Sequence, residues 1–86
     1  MDTHSVLLTK IITDQESIIG PLATDLAKSV NGIAWNQDGP QLTGDAQNVV
    51  SDLVKVFSTL FGKASIEVCH DSVRAVDPEL AKRIFA

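Results

Sequence analysis

From Val6 to Ile33 the apolar side chains keep the spacing of one helix face. Leu8, Ile12, Ile19, Ala23, Leu26, Val30 and Ile33 fall three, four or seven residues apart, and no run of alternation competes with them. Gly20-Pro21 interrupts this stretch. Proline has no donor N–H and clashes with the preceding turn, so it begins a helix or kinks one. Thr13-Asp14-Gln15-Glu16 has the form of a capping box, with a threonine oxygen and a glutamate three residues on to serve free N–H groups. The pattern predicts a first helix over about residues 5–13. It predicts a second that runs through Lys28 or Val30, starting at Asp14 with a kink or afresh at Pro21. Asn31-Gly32 is a helix stop, since both residues tolerate left-handed dihedrals.

The next stretch, Ile33 to Thr43, contains Asn36, Gln37, Asp38, Gly39 and Pro40. It reads as a surface loop (about 31–43 at its widest) anchored by Trp35. A hairpin about Asp38-Gly39 is the less favoured reading, because Pro40 removes a ladder donor. Thr43 is then expected to cap a helix from Gly44 to Phe61. Its stripe is Ala46, Val49, Val50, Leu53, Phe57, Leu60 and Phe61, while Val54 and Val56 lie off the stripe. Apolar residues on more than one face mark this helix as central. Gly62-Lys63 offers its end. Ala64 to Val76 reads as a further helix with Ile66, Cys69, Val73 and Val76 inward; a strand over Ser65–His70 is the rival, and it lacks evident partner strands. The last helix has Asp77 as N-cap, Pro78 at the first position, and Leu80, Ile84 and Phe85 on its apolar side. The expected fold is all-α: one domain over 1–86, a small orthogonal or up-down bundle of four to five helices with one longer loop.

Composition narrows the function. With 86 residues there is room for one core, and with three Phe, one Trp and no Tyr that core must be aliphatic. Seven Lys and Arg against eleven Asp and Glu leave a formal charge of −4. An acidic domain is a poor match for a phosphate backbone, where clustered positive charge supplies most of the affinity, so no nucleic-acid partner is expected. One Cys excludes an internal disulfide framework and points to a reducing compartment. No unbroken apolar run approaches the roughly 20 residues of a membrane span. Met1-Asp2-Thr3-His4-Ser5 does not have the form of a secretory leader, and neither end carries a lipidation motif. A cytoplasmic protein without a membrane partner is expected.

Chemistry-bearing residues are few. Cys69-His70 are neighbours, and adjacent helical residues point about 100° apart, so they do not readily grip one ion; His4 is the other histidine. Cys69 has no visible base or helix N-terminus to activate it, and reads as a small buried hydrophobe. Gly62-Lys63-Ala64-Ser65 lacks the upstream glycine of a phosphate loop. The expectation is no enzyme, no catalytic residue, no metal and no cofactor.

Two resemblances bear on function. In its length, acidity, helical pattern and Asp71-Ser72-Val73, the chain resembles an acyl carrier protein, which implies Ser72 as the site of a phosphopantetheine arm. It departs from that family in Val73, where the motif has Leu, and in ending fourteen residues after Ser72. Ile18-Ile19-Gly20-Pro21-Leu22-Ala23 with Leu26-Ala27-Lys28 is similar to a small helical domain found at the ends of bacterial, especially cyanobacterial, signalling and kinase-associated proteins. There a Gly-Pro-apolar-Ala turn opens a helix, and the resemblance implies a regulatory or assembly module. The residues themselves lead to the same expectation: a non-enzymatic module that buries an apolar helix face against a protein partner or a second copy. Trp35, Val54, Val56, Phe57, Phe61 and Phe85 are the interface candidates, with Trp35 and Phe85 as anchors because aromatics concentrate interface energy. A binder of a small-molecule or lipid-like ligand between helices is the alternative.

Overall fold

The computed structural model describes residues 3–85. Met1, Asp2 and Ala86 lie outside the described residues, as do those parts of the leader and lipidation expectations that fall on them. In chain order the elements are α1 (Thr3–Ile19), α2 (Leu22–Ala27), β1 (Ile33–Asn36), β2 (Gly39–Leu42), α3 (Ala46–Phe61), α4 (Lys63–Val76) and α5 (Pro78–Phe85). The fold is mostly helical, with five helices and one two-stranded antiparallel hairpin among the described residues. α1 packs against α4, α2 and β2, and α3 packs against α4, α5 and α2. Between them lies an aliphatic core in which Leu7, Leu8, Ile11, Val50, Leu53, Phe57, Cys69 and Val73 are wholly or almost wholly buried.

α1 is longer than its pattern predicts. It runs through Thr13-Asp14-Gln15-Glu16 without a break, because Ile11, Ile12 and Gln15 are all buried on one face. The capping box is therefore not used. The helix ends where the backbone enters the left-handed region at Gly20 (φ 71°), whose N–H donates to Glu16 O at 2.9 Å. Pro21 then stands at the head of α2. Thr24 Oγ1 donates to Glu16 Oε1 at 3.1 Å and ties the two helices across the turn.

The loop reading of Ile33–Thr43 is corrected: these residues form the hairpin. Trp35 pairs with Pro40 and Asn36 with Gly39. Thr43 N–H donates to Gly32 O at 2.8 Å, so the hydrogen-bonded pairs of this ladder fall at every second position, at Ala34–Gln41 and Asn36–Gly39. Trp35–Pro40 is a non-hydrogen-bonded pair, so the missing donor of Pro40 falls outside the ladder and breaks nothing. The turn is local chemistry: Asp38 N–H donates to Asn36 Oδ1 at 3.0 Å, and Gly39 takes φ 101°. Thr43 closes the hairpin and does not cap α3. That cap is Asp45, whose Oδ2 accepts from Asn48 N–H at 3.0 Å.

α3 ends at Gly62 (φ 77°), and α4 follows at once. α4 is the expected helix and no strand occupies Ser65–His70, but its inward face differs from the expected one. Ile66 is 38% exposed, while Ser65, Cys69, Ser72 and Val73 are buried. The small side chains Ser65, Cys69 and Ser72 form the buried face of α4 that receives α1. Asp77 caps α5 as predicted, accepting Leu80 N–H at 3.1 Å.

Candidate functional site

Among the described residues, one cleft opens between α2 and α3 and another between α4 and α5. The first lies between α2 and α3 and has a volume of about 410 Å³. Leu26 and Ser29 line one wall, and Lys55, Val56, Thr59 and Leu60 line the other. Helical spacing builds both walls. Leu22, Asp25, Leu26 and Ser29 share one face of α2 and the turn after it, and Asp52, Lys55, Val56, Thr59 and Leu60 share one face of α3. The floor is half-buried at Leu26 and Val56. The lip is exposed at Leu60, which is 57% accessible, and Leu22, one turn before Leu26 on α2, is 45% accessible. Lys55 is exposed in its wall, and the exposed Asp25 and Asp52 share the helix faces that build the two walls.

The second cleft lies between α4 and α5, with a volume of about 270 Å³, and is lined by His70, Arg74, Pro78, Ala81, Lys82 and Phe85. His70 and Phe85 stack within it, ring centroids 4.8 Å apart and planes 23° from parallel. Arg74 Nη2 contacts Asp71 Oδ1 at 2.9 Å and Lys82 Nζ contacts Glu79 Oε1 at 3.6 Å, both on the outer surface.

A third arrangement is internal. Along the α1–α4 seam, Gln15 Nε2 donates to Ser65 O and to Cys69 Sγ, each at 3.2 Å. Ser72 Oγ donates to Asp14 Oδ2 at 2.5 Å, and Lys10 Nζ reaches the same oxygen at 3.1 Å. Gln15 Oε1 and Ser65 Oγ are buried without a hydrogen-bond partner. Burial pushes the Cys69 thiol up to about 12; the Gln15 hydrogen bond opposes this and the Asp14 carboxylate adds to it. A thiol held protonated in the core is a packing element, not a nucleophile. Ser72 is 1% exposed with its hydroxyl engaged, a placement that does not fit attachment of a phosphopantetheine arm. Among the described residues no group of three or more His, Cys, Asp or Glu could hold a metal ion, and no helix is long and apolar enough to cross a membrane.

The six interface candidates are dispersed. Phe57 is fully buried and Val54 is 9% exposed, so both belong to the core and neither is presented to a partner. The stripe assignment placed Val54 off the core, but α3 is covered on several sides at once, by α2, α4 and α5. Trp35 is half-buried against the core under Lys28 Nζ, 5.7 Å from its ring centroid, and its buried Nε1 has no partner. Val56 lies in the α2–α3 groove and Phe85 in the α4–α5 cleft, while Phe61 is half-buried at the end of α3. None of the three remaining aromatics is among the described residues that line the groove with Val56. Leu22 was missed and Leu60 was assigned inward. The signal that finds them is the pair of i,i+4 apolar couples, Leu22–Leu26 and Val56–Leu60, each beside a charged residue.

No protein-family model, no curated protein and no solved structure matches this chain.

Proposed function

We propose that this chain is a non-enzymatic helical interaction module that pairs with a second copy of itself through the groove between α2 and α3. Leu60 carries the reading. It is the most exposed of the large hydrophobic side chains on the described surface, at 57%, and it stands on the lip of a hollow lined by Leu26 and Val56. Fully burying a leucine is worth about 1.5–3 kcal/mol, so water strongly favours covering it. A knob and a hole on the same surface suit a two-fold contact, in which each protomer's Leu60 enters the other's groove. The rim supports a self-partner too. Lys55 can face Asp25 or Asp52 across the axis, which places opposite charges together in a chain of net charge −4.

A cytoplasmic location and a regulatory or assembly role, as the Gly-Pro-apolar-Ala resemblance implies, belong to the same reading. A dilution series followed by amide NMR tests it. Concentration-dependent shifts at Leu26, Ser29, Val56, Thr59 and Leu60 are expected. Shifts confined to another face, or none, would overturn the assignment.

A further inference from the structure

From the α4–α5 cleft we infer a second, separate site, which takes a small organic anion with a flat apolar body, of the aromatic carboxylate class. Three observations on the cleft converge. Every ionisable residue that lines it is basic, His70, Arg74 and Lys82, in a chain whose acids outnumber its lysines and arginines eleven to seven. Among the described residues no carboxylate lines it: Asp71 and Glu79 meet Arg74 and Lys82 from outside the lining, and Asp77 accepts the Leu80 N–H. The rest of the wall is apolar, made by Pro78, Ala81 and Phe85, with Phe85 already stacked on His70.

The dimensions set the ligand. A cavity of about 150 Å³ holds benzene, so 270 Å³ accommodates one ring and a short acidic arm. The ring would lie against the His70–Phe85 stack, where offset aromatic packing is available. The acid would sit towards Arg74. A guanidinium has five N–H donors in a planar fork that matches a carboxylate, and the one Arg74 contact to Asp71 involves only Nη2. That contact is an i,i+3 pair with both side chains well exposed, 61% and 70%, and such pairs exchange readily with a better acceptor. Lys82, also lightly paired, supplies a second positive charge on the other helix. This inference does not depend on the groove between α2 and α3.

The probe is phenylacetate, titrated into the labelled 86-residue chain and followed by amide NMR, with phenylacetamide as the neutral isostere. Saturable shifts at His70, Arg74, Lys82 and Phe85 are expected. Phenylacetamide should bind at least about fivefold more weakly, as should phenylacetate to Arg74→Gln or Lys82→Gln, since charge-assisted hydrogen bonds are roughly twice as strong as neutral ones. Both side chains are exposed, so these variants keep the fold. Leu60→Asp should leave the affinity unchanged. The inference fails if no saturable shift appears at the cleft by ~20 mM, about twentyfold above the 1 mM that corresponds to about −4 kcal/mol. It fails equally if the amide binds as well as the acid, if Arg74→Gln and Lys82→Gln change nothing, or if the shifts fall on α2 and α3.

Discussion

Gln15 of α1 donates its amide to Cys69 Sγ of α4 at 3.2 Å, joining two residues 54 positions apart in the middle of the core. Both side chains are fully buried. The contact sets the register of the most extensive helix pair, because the same amide also reaches Ser65 O one turn away. Its other atom, Oε1, is buried without a partner. The seam thus carries both a specific link and an uncompensated polar atom.

That combination predicts an asymmetry between two substitutions. Gln15→Ala removes the link and opens a cavity, and should lower stability by about 2–4 kcal/mol. Gln15→Met keeps the volume and removes the orphaned oxygen, so it should lower stability by less than about 1.5 kcal/mol. Urea unfolding followed by circular dichroism measures both, and equal losses would mean that the hydrogen bonds, not the packing, dominate.

The Cys69 thiol predicts a pH dependence with a definite sign. Its burial lifts it from 9.0 to about 12, so the folded chain holds this proton more tightly than the unfolded chain does. The resulting stabilisation is complete below pH 9 and is lost as pH rises from there towards 12. Cys69→Ala should therefore show a shallower fall in stability over that alkaline range than the parent chain, measured by urea midpoints. At pH 8 the native thiol should resist a maleimide reagent that labels the unfolded chain at once.

Gly32 and Gly39 both have positive φ, 92° and 101°, but their surroundings differ. A Cβ at Gly32 would lie 2.5 Å from Val49 Cγ2, whereas a Cβ at Gly39 would meet nothing within 4 Å. Gly39→Ala should lower stability by the backbone term alone, about 1–2 kcal/mol. Gly32→Ala adds a steric clash with a buried valine and should lower it by about 1–3 kcal/mol more. Thermal unfolding of the two variants side by side checks the order.

Much of the helical frame was legible in the residue pattern. The Asp77-Pro78 start of α5, the Gly62 stop and the helix over Ala64–Val76 followed from caps and spacing, which act within a few residues. The hairpin was misread because the harm done by Pro40 depends on which ladder position it occupies, and that depends on the register with Trp35. The inward face of α4 was misread for a different reason. A hydrophobicity pattern ranks Ile66 above Ser65, but close approach of two helices rewards small side chains, and only the neighbouring helix reveals that demand. Of the candidate site, Val56 was anticipated, while Leu60 was placed in the core stripe although it stands on the lip of the groove. One helical turn separates Phe57 from Leu60, yet the first is sealed and the second is 57% exposed. Phe57 joins the core cluster, whereas Leu60 lines the groove beside Val56, and the i,i+4 couple of Val56 and Leu60 is the local pattern that separates the two.

Sedimentation velocity over a wide concentration range, run on the parent chain and on Leu60→Asp, tests the self-association account most directly. The parent should shift from monomer to dimer as concentration rises, and Leu60→Asp should stay monomeric, with the parent's unfolding midpoint when both are measured at a dilution where the parent is monomeric, since Leu60 lies outside the core. A parent chain that sediments as a monomer up to ~1 mM, where even a weak dimer with a free energy of about −4 kcal/mol would be visible, would contradict the account, and so would a Leu60→Asp variant that dimerises as well as its parent.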